Sequence, residues 1–265
     1  MSTKRQSSLG SPRPATIKAH PKLNSTQVDN ILDREKSLDI FSSVAYRDSH
    51  IVLVGAGGPG GFIALGLMRK GVKRLTIYDG DTVDITNLNR QRFFPRDIGK
   101  YKASQLAKNI KGEATADSVI LGVDLFIEET IMDGHIEKPG IVICAPDNDE
   151  TREFCTRYCM DNSIPGIIVG LSPDSDYGYV FTQGVGQNTA CFGCLRKGNK
   201  GAQKCSASAN INLSMVAAGH ALSACDIVLS MSPIEWNYRR FSIFGSLPDI
   251  IKVVPKWESC KLCRG

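Results

Sequence analysis

The run Ile51-Val52-Leu53-Val54 passes without a break into Gly55-Ala56-Gly57-Gly58-Pro59-Gly60-Gly61. A short, continuous apolar run suits a strand buried on both faces. Glycines so dense cannot extend that strand, and Phe62 to Lys70 resumes a helical pattern that Gly71 stops. Gly55-x-Gly57-x-x-Gly60 between strand and helix predicts a tight turn that brings phosphate to a helix N-terminus. Asp79 ends the next predicted strand, Leu75-Thr76-Ile77-Tyr78, where an acid can meet ribose hydroxyls. The loop alone leaves three readings open: a nicotinamide or flavin enzyme, another nucleotide user, or a structural turn.

The rest of the chain repeats the alternation. Lys102 to Ile110 and Thr151 to Asn162 are predicted helices. Asp117 to Val123, Gly140 to Ala145 and Gly166 to Val169 are predicted strands. Apolar residues at Val28, Ile31, Leu32, Leu38, Ile40 and Phe41 predict helix over Ser25 to Asp48. Strands alternating with helices imply an α/β fold: a Rossmann-like, mostly parallel sheet with helices on both faces. After Ser172 the pattern changes. Tyr177 to Thr182 and Arg239 to Lys256 look like antiparallel strands, with one long helix, Ala207 to Leu229, between them.

Charge separates the first residues from the rest. Lys4, Arg5, Arg13, Lys18 and Lys22 stand in a leader without a single acid, and the other 27 basic residues match the 27 acidic ones. The basic balance is therefore local, which gives no ground for a specific nucleic-acid partner. Residues 1–24 are expected to be a disordered tail and residues 25–265 one domain. No apolar run reaches the ~20 residues of a membrane span, and no apolar stretch of a secretory leader follows Met1. A cytoplasmic protein with reduced cysteines is expected.

The residues after Asp79 favour ATP chemistry over hydride transfer. Asp79-Gly80-Asp81, Asn87-Leu88-Asn89-Arg90-Gln91 and Lys100-Tyr101-Lys102 crowd carboxylates, an Asn-Arg pair and lysines at the phosphate end. Arg90 and Lys102 can neutralise triphosphate oxygens, and Asp147, after the fourth strand of the parallel set, can hold Mg²⁺. The segments G-A-G-G-P-G-G, Y-D-G-D-T-V-D-I-T-N-L-N-R-Q, D-I-G-K-Y-K and A-P-D-N together resemble the ThiF/MoeB/HesA family of ubiquitin-activating-enzyme-like adenylyltransferases. The similarity runs from about Ile51 to Cys263.

The resemblance implies residue roles. Gly55, Gly57, Gly58 and Gly60 form the phosphate loop, and Gly58 approaches the phosphates. Asp79 holds the ribose, with Asp81 beside it. Asn87, Arg90 and Lys102 contact phosphates, and Asp147 serves the metal. Pro59 replaces the family's usual Leu, a change the first helical turn tolerates. An arginine from the N-terminal helix reaches the triphosphate across a homodimer interface in the family. Arg34 is the candidate here, although the usual surrounding pattern is absent.

Cys191-x-x-Cys194 and Cys260-x-x-Cys263 supply four thiolates at zinc-knuckle spacing, with no ligand position left open for catalysis. A redox CxxC is the alternative, which two separated pairs disfavour. Such a knuckle would close residues 173–265 onto the sheet, as in the family. Cys205, beside Lys204 and opening the long helix, stands where several family members form a thioester or persulfide; in others the cysteine is not essential. Helix position and lysine both favour a thiolate. Cys144, Cys155, Cys159 and Cys225 read as core residues, and His220 as a packed or interface residue.

The expected function is therefore ATP-dependent adenylation of the C-terminal glycine carboxylate of a small β-grasp protein ending in Gly-Gly. Thioester formation on Cys205 is a possible second step, with a conjugating enzyme or sulfur donor as the next partner. Two alternatives stand beside it: adenylation of a ribosomal peptide or tRNA-linked carboxylate, and a non-catalytic dimerisation partner of an activating enzyme.

Overall fold

A computed structural model describes residues 14–130, 138–185, 190–197, 210–233 and 235–263. Among them, nine strands form one sheet: β1 (Ala15–Ala19), β2 (His50–Val54), β3 (Arg74–Tyr78), β4 (Ser118–Val123), β5 (Ile141–Cys144), β6 (Gly166–Leu171), β7 (Tyr177–Gln183), β8 (Tyr238–Ser242) and β9 (Ile250–Lys252). The order is β1-β4-β3-β2-β5-β6-β7-β8-β9. β4 to β6 run parallel across the centre, while β1 at one edge and β7, β8 and β9 at the other are antiparallel. The mostly parallel α/β sheet with an antiparallel extension is the architecture the sequence predicts.

The central strands are buried on both faces because their side chains alternate between two cores. Ile51, Leu53, Ile141, Ile143, Ile167 and Val169 face one apolar cluster. Val52, Val54, Val142, Cys144 and Ile168 face the other. The helices are α1 (Ser25–Ile31), α2 (Asp33–Lys36), α3 (Ser43–Asp48), α4 (Gly58–Arg69), α5 (Lys102–Asn109), α6 (Ile127–Thr130), α7 (Asp149–Asp161), α8 (Phe192–Arg196) and α9 (Ile211–Leu229). Buried residues of α4, α5 and α9 belong to the first core, and those of α7 and α8 to the second.

Three expectations need correction. The expectation of disorder over residues 1–24 fails at β1: Ala15–Ala19 pairs antiparallel with Ser118–Gly122, while residues 1–13 lie outside the described residues. β4 would otherwise leave an open sheet edge, and Ile17 and Ala19 turn towards the core. The predicted helix over Ser25 to Asp48 is three short ones. Serines break it: the Ser37 hydroxyl donates to the Arg34 carbonyl, and Ser42 caps α3 by accepting from Ala45 N–H. These pieces dock through Lys70, whose ammonium pairs with Glu35 and Asp226 and lies 4.9 Å from the Phe41 ring centroid.

The third correction concerns membrane-span length. α9 is long and apolar enough to cross a membrane. Its polar residues hide this in the sequence, but Leu213, Ala217, Ala221, Ala224 and Cys225 are buried in the first core. Residues 207–209 of the predicted helix lie outside the described residues.

Candidate active site

The strand order reverses around β2, which has β3 on one side and β5 on the other. Crossovers leave opposite faces at such a point and open a crevice beyond the carboxyl ends of the strands. The glycine loop sits at that crevice. Gly55 has φ +93, and a Cβ there would stand 2.7 Å from the Ala145 carbonyl oxygen. A Cβ at Gly60 would overlap the Gly55 carbonyl. Glycine is therefore required for the turn itself and for the packing of α4 against it. Gly57 caps α4 and Pro59 occupies its first turn, as the sequence predicts.

The cleft beyond the loop is lined by Gly55, Gly57, Gly58, Asp79, Asp81, Arg90, Lys102 and Asp147, among others. Asp79 accepts Ala56 N–H at 2.7 Å on one carboxylate oxygen and Asp81 N–H at 2.9 Å on the other. It thus ties the end of β3 to the glycine loop. Burial pushes its carboxyl above the usual range, opposed by Lys102 and these two N–H groups. Lys102 is itself buried, with its ammonium 2.8 Å from Asp81 Oδ2. Its helix is set by Asp124, which accepts the Ser104 N–H at 2.9 Å and the Ser104 hydroxyl at 2.5 Å across the start of α5. Arg90 folds back on its own turn, donating to the Thr86 carbonyl and to Asn89 Oδ1. Asp147 is exposed and has no hydrogen bond or ion pair among the described residues.

Two predicted side chains lie elsewhere, and Gly60, packed under the loop, does not line the cleft either. Asn87 is buried and does not line the cleft; its Oδ1 accepts Asp84 N–H at 2.9 Å and closes the turn that carries Arg90. Arg34 sits on α2, away from the cleft of its own chain. Cys205 lies outside the described residues. Other lining residues escape sequence reasoning. Ser214 of α9 lies so near the loop that a Cβ at Gly58 would stand 2.5 Å from its hydroxyl. Gln91 brings a buried Oε1 that has no hydrogen-bond partner among the described residues. Arg152 is buried along the cleft wall. Only Gln91 carried a local signal, its place directly after Arg90.

On the second face, Cys191, Cys194, Cys260 and Cys263 bring their sulfurs within 4.8 Å of one another. Zn–S bonds of about 2.3 Å put tetrahedral sulfurs about 3.8 Å apart. Cys191 Sγ lies 3.9 Å from Cys194 Sγ and 3.6 Å from Cys260 Sγ, while Cys263 Sγ sits closer, 3.4 Å from Cys194 Sγ and 3.0 Å from Cys191 Sγ. Four thiols from two segments distant in sequence, with Trp257 N–H directed at Cys194 Sγ, fit a metal ion better than a redox pair. They could hold zinc.

Residues 41–262 match the ThiF family. Ubiquitin-like modifier-activating enzyme 5 of Oryza sativa subsp. japonica is 31% identical over 160 residues, 56% of this chain and 38% of that protein. The tRNA threonylcarbamoyladenosine dehydratase of Escherichia coli K12 is 33% identical over 138 residues, 51% of this chain and 49% of the relative. The chain thus spans less than half the length of these curated relatives. Among solved structures, E. coli MccB with ATP is similar at a TM-score of 0.69 and 17% identity, covering 83% of this chain and 68% of MccB. PaaA is similar at a TM-score of 0.70 and 17% identity, covering 88% and 84%. The likeness in structure is one of fold; with the family match over most of its length, the chain belongs to the ThiF family.

Proposed function

We propose that this chain adenylates the C-terminal carboxylate of a small protein or peptide. The observation that carries the reading is the convergence of the glycine loop, Asp79, Arg90, Lys102 and Asp147 on one cleft at the strand-order reversal. Nucleotide enters with its phosphates at the N-terminus of α4, where unpaired backbone N–H groups attract anions. Asp79, already fixed by two N–H groups, presents its remaining lone pairs to the ribose hydroxyls. Arg90 and Lys102 lie where phosphate charge is held. Asp147 is an oxygen donor at the cleft with no partner among the described residues, which suits a hard cation; magnesium bound there would neutralise phosphate charge.

A substrate carboxylate oxygen then forms a bond to the α-phosphorus as the bond to pyrophosphate breaks. An acyl-adenylate remains. Little covalent work falls to the protein, so positioning and charge stabilisation by Arg90 and Lys102 carry the rate. The preferred substrate is a β-grasp protein ending in Gly-Gly, in keeping with the relatives named ubiquitin-like modifier-activating enzyme 5. A homodimer would allow Arg34 to act on the partner's cleft, and Cys205 would accept the acyl group if a thioester follows. A second reading is favoured by the dehydratase and MccB likenesses: a tRNA-linked or peptide carboxylate in the same cleft.

Thermal unfolding separates this reading from a dinucleotide enzyme. Ligand bound only by the folded state stabilises by RT ln(1 + [L]/Kd), about 2.7 kcal/mol at a hundredfold excess over Kd. Magnesium-ATP should raise the midpoint by roughly 5 °C or more, since 1 kcal/mol moves it ~2–4 °C at this size. NAD should not. A shift with NAD and none with ATP would contradict the assignment.

A further inference from the structure

Asp147 sits between two groups held by one buried guanidinium. Arg152 Nη2 donates at 2.7 Å to the carbonyl of Pro146, the residue before it. Arg152 Nη1 donates at 2.8 Å to Oδ1 of Asp149, two residues after it. A planar fork pinned at both tips fixes the distance between its acceptors, so it restrains the turn that carries Asp147. The second oxygen of Asp149 is also engaged: Oδ2 lies 3.0 Å from Arg196 Nη1. Arg196 ends α8, the short helix that Cys191 caps and that contains Cys194. These side chains are shielded, at 6% exposure for Arg152, 12% for Asp149 and 18% for Arg196. Shielded pairs are weakly screened, and removing one partner leaves the other uncompensated.

We propose that Arg196, Asp149 and Arg152 form an ionic relay through which the cysteine knuckle positions Asp147 and sets how strongly magnesium aids nucleotide binding. The relay rests on the reading of the cleft as a magnesium-ATP site. Arg196 and Asp149 do not line the cleft and are positioning residues. Arg196 also lies 3.4 Å from Glu153, whose carboxylate is 44% exposed and leads away from the turn. Glu153 is therefore the internal control.

The test is calorimetric titration of the full chain with α,β-methylene-ATP, in magnesium chloride and in magnesium-free buffer. The readout is the ratio of the two affinities. Wild type should bind more tightly with magnesium, and Asp147→Ala should lose that gain. Arg196→Ala and Asp149→Asn should each reduce the gain about 5-fold or more. Their magnesium-free affinity should stay near wild type. Arg196→Lys should recover part of the gain, because it keeps the charge without the fork. Glu153→Gln should leave it unchanged.

An undiminished ratio in Arg196→Ala and Asp149→Asn would overturn the relay while leaving the ATP reading intact. So would a loss of both affinities in proportion, which marks a merely structural pair. If Arg196→Ala does not fold, Asp149→Asn and Arg196→Lys decide the matter by the same ratio. A wild type that binds no nucleotide would overturn relay and reading together.

Discussion

Arg90→Ala and Asp147→Ala should each lower ATP–pyrophosphate exchange by about 10²-fold or more, measured with magnesium and a cognate carboxylate substrate. In adenylation, charge grows on the bridging oxygen of departing pyrophosphate, and the protein contributes mainly groups that meet that charge. Arg90 lines the cleft on a turn closed by the buried Asn87, with its guanidinium held by the Thr86 carbonyl. This preorganisation makes its charge available without reorganisation during the reaction. Asp147 reaches the same cleft from the end of β5. Neither side chain is buried in the core, so both variants should fold with nearly unchanged thermal midpoints. Full exchange activity in both variants would mean that the charges lie elsewhere.

Cys260→Ser should remove bound zinc and lower the thermal midpoint by roughly 10 °C, as read by metal analysis and calorimetry on protein purified without chelator. Metal that binds only the folded chain contributes its binding free energy to folding. Loss of about 3–5 kcal/mol would produce that shift at this size. The cluster joins segments 69 residues apart in sequence. Around it, Phe192, Val254 and Leu262 complete a buried apolar shell. Serine supplies a harder ligand and leaves a vacant tetrahedral corner. Metal-free wild-type protein with an unchanged midpoint would show that packing alone closes this end of the chain.

Much of the cleft was legible because its signals are local. A buried strand that runs into glycines needs no distant partner to be recognised, and Asp79 follows from the next strand's end. Each CxxC is likewise a local unit. Tertiary pairing was not legible in the same way. β1 exists because β4 offers an open edge, and nothing in Ala15-Thr16-Ile17-Lys18-Ala19 states that edge's location. Ser214 meets the glycine loop only because α9 packs against α4. Arg152 looks like an ordinary helical charge until Pro146 and Asp149 are seen on its two tips. Asn87 lies in the expected turn, and only the structure shows that its Oδ1 accepts a backbone N–H there.

The central claim concerns the carboxylate, and labelled pyrophosphate tests it most directly. The full chain is incubated with ATP, magnesium, labelled pyrophosphate and a β-grasp protein ending in Gly-Gly, then with the same protein amidated at its C-terminus. Label should enter ATP only with the free carboxylate, because reversible acyl-adenylate formation is the step that exchanges pyrophosphate. Cys205→Ala should leave this exchange intact, since adenylation needs no thiol. Exchange that proceeds equally with the amidated protein, or with no carboxylate substrate at all, would contradict carboxylate adenylation as the chemistry of this cleft.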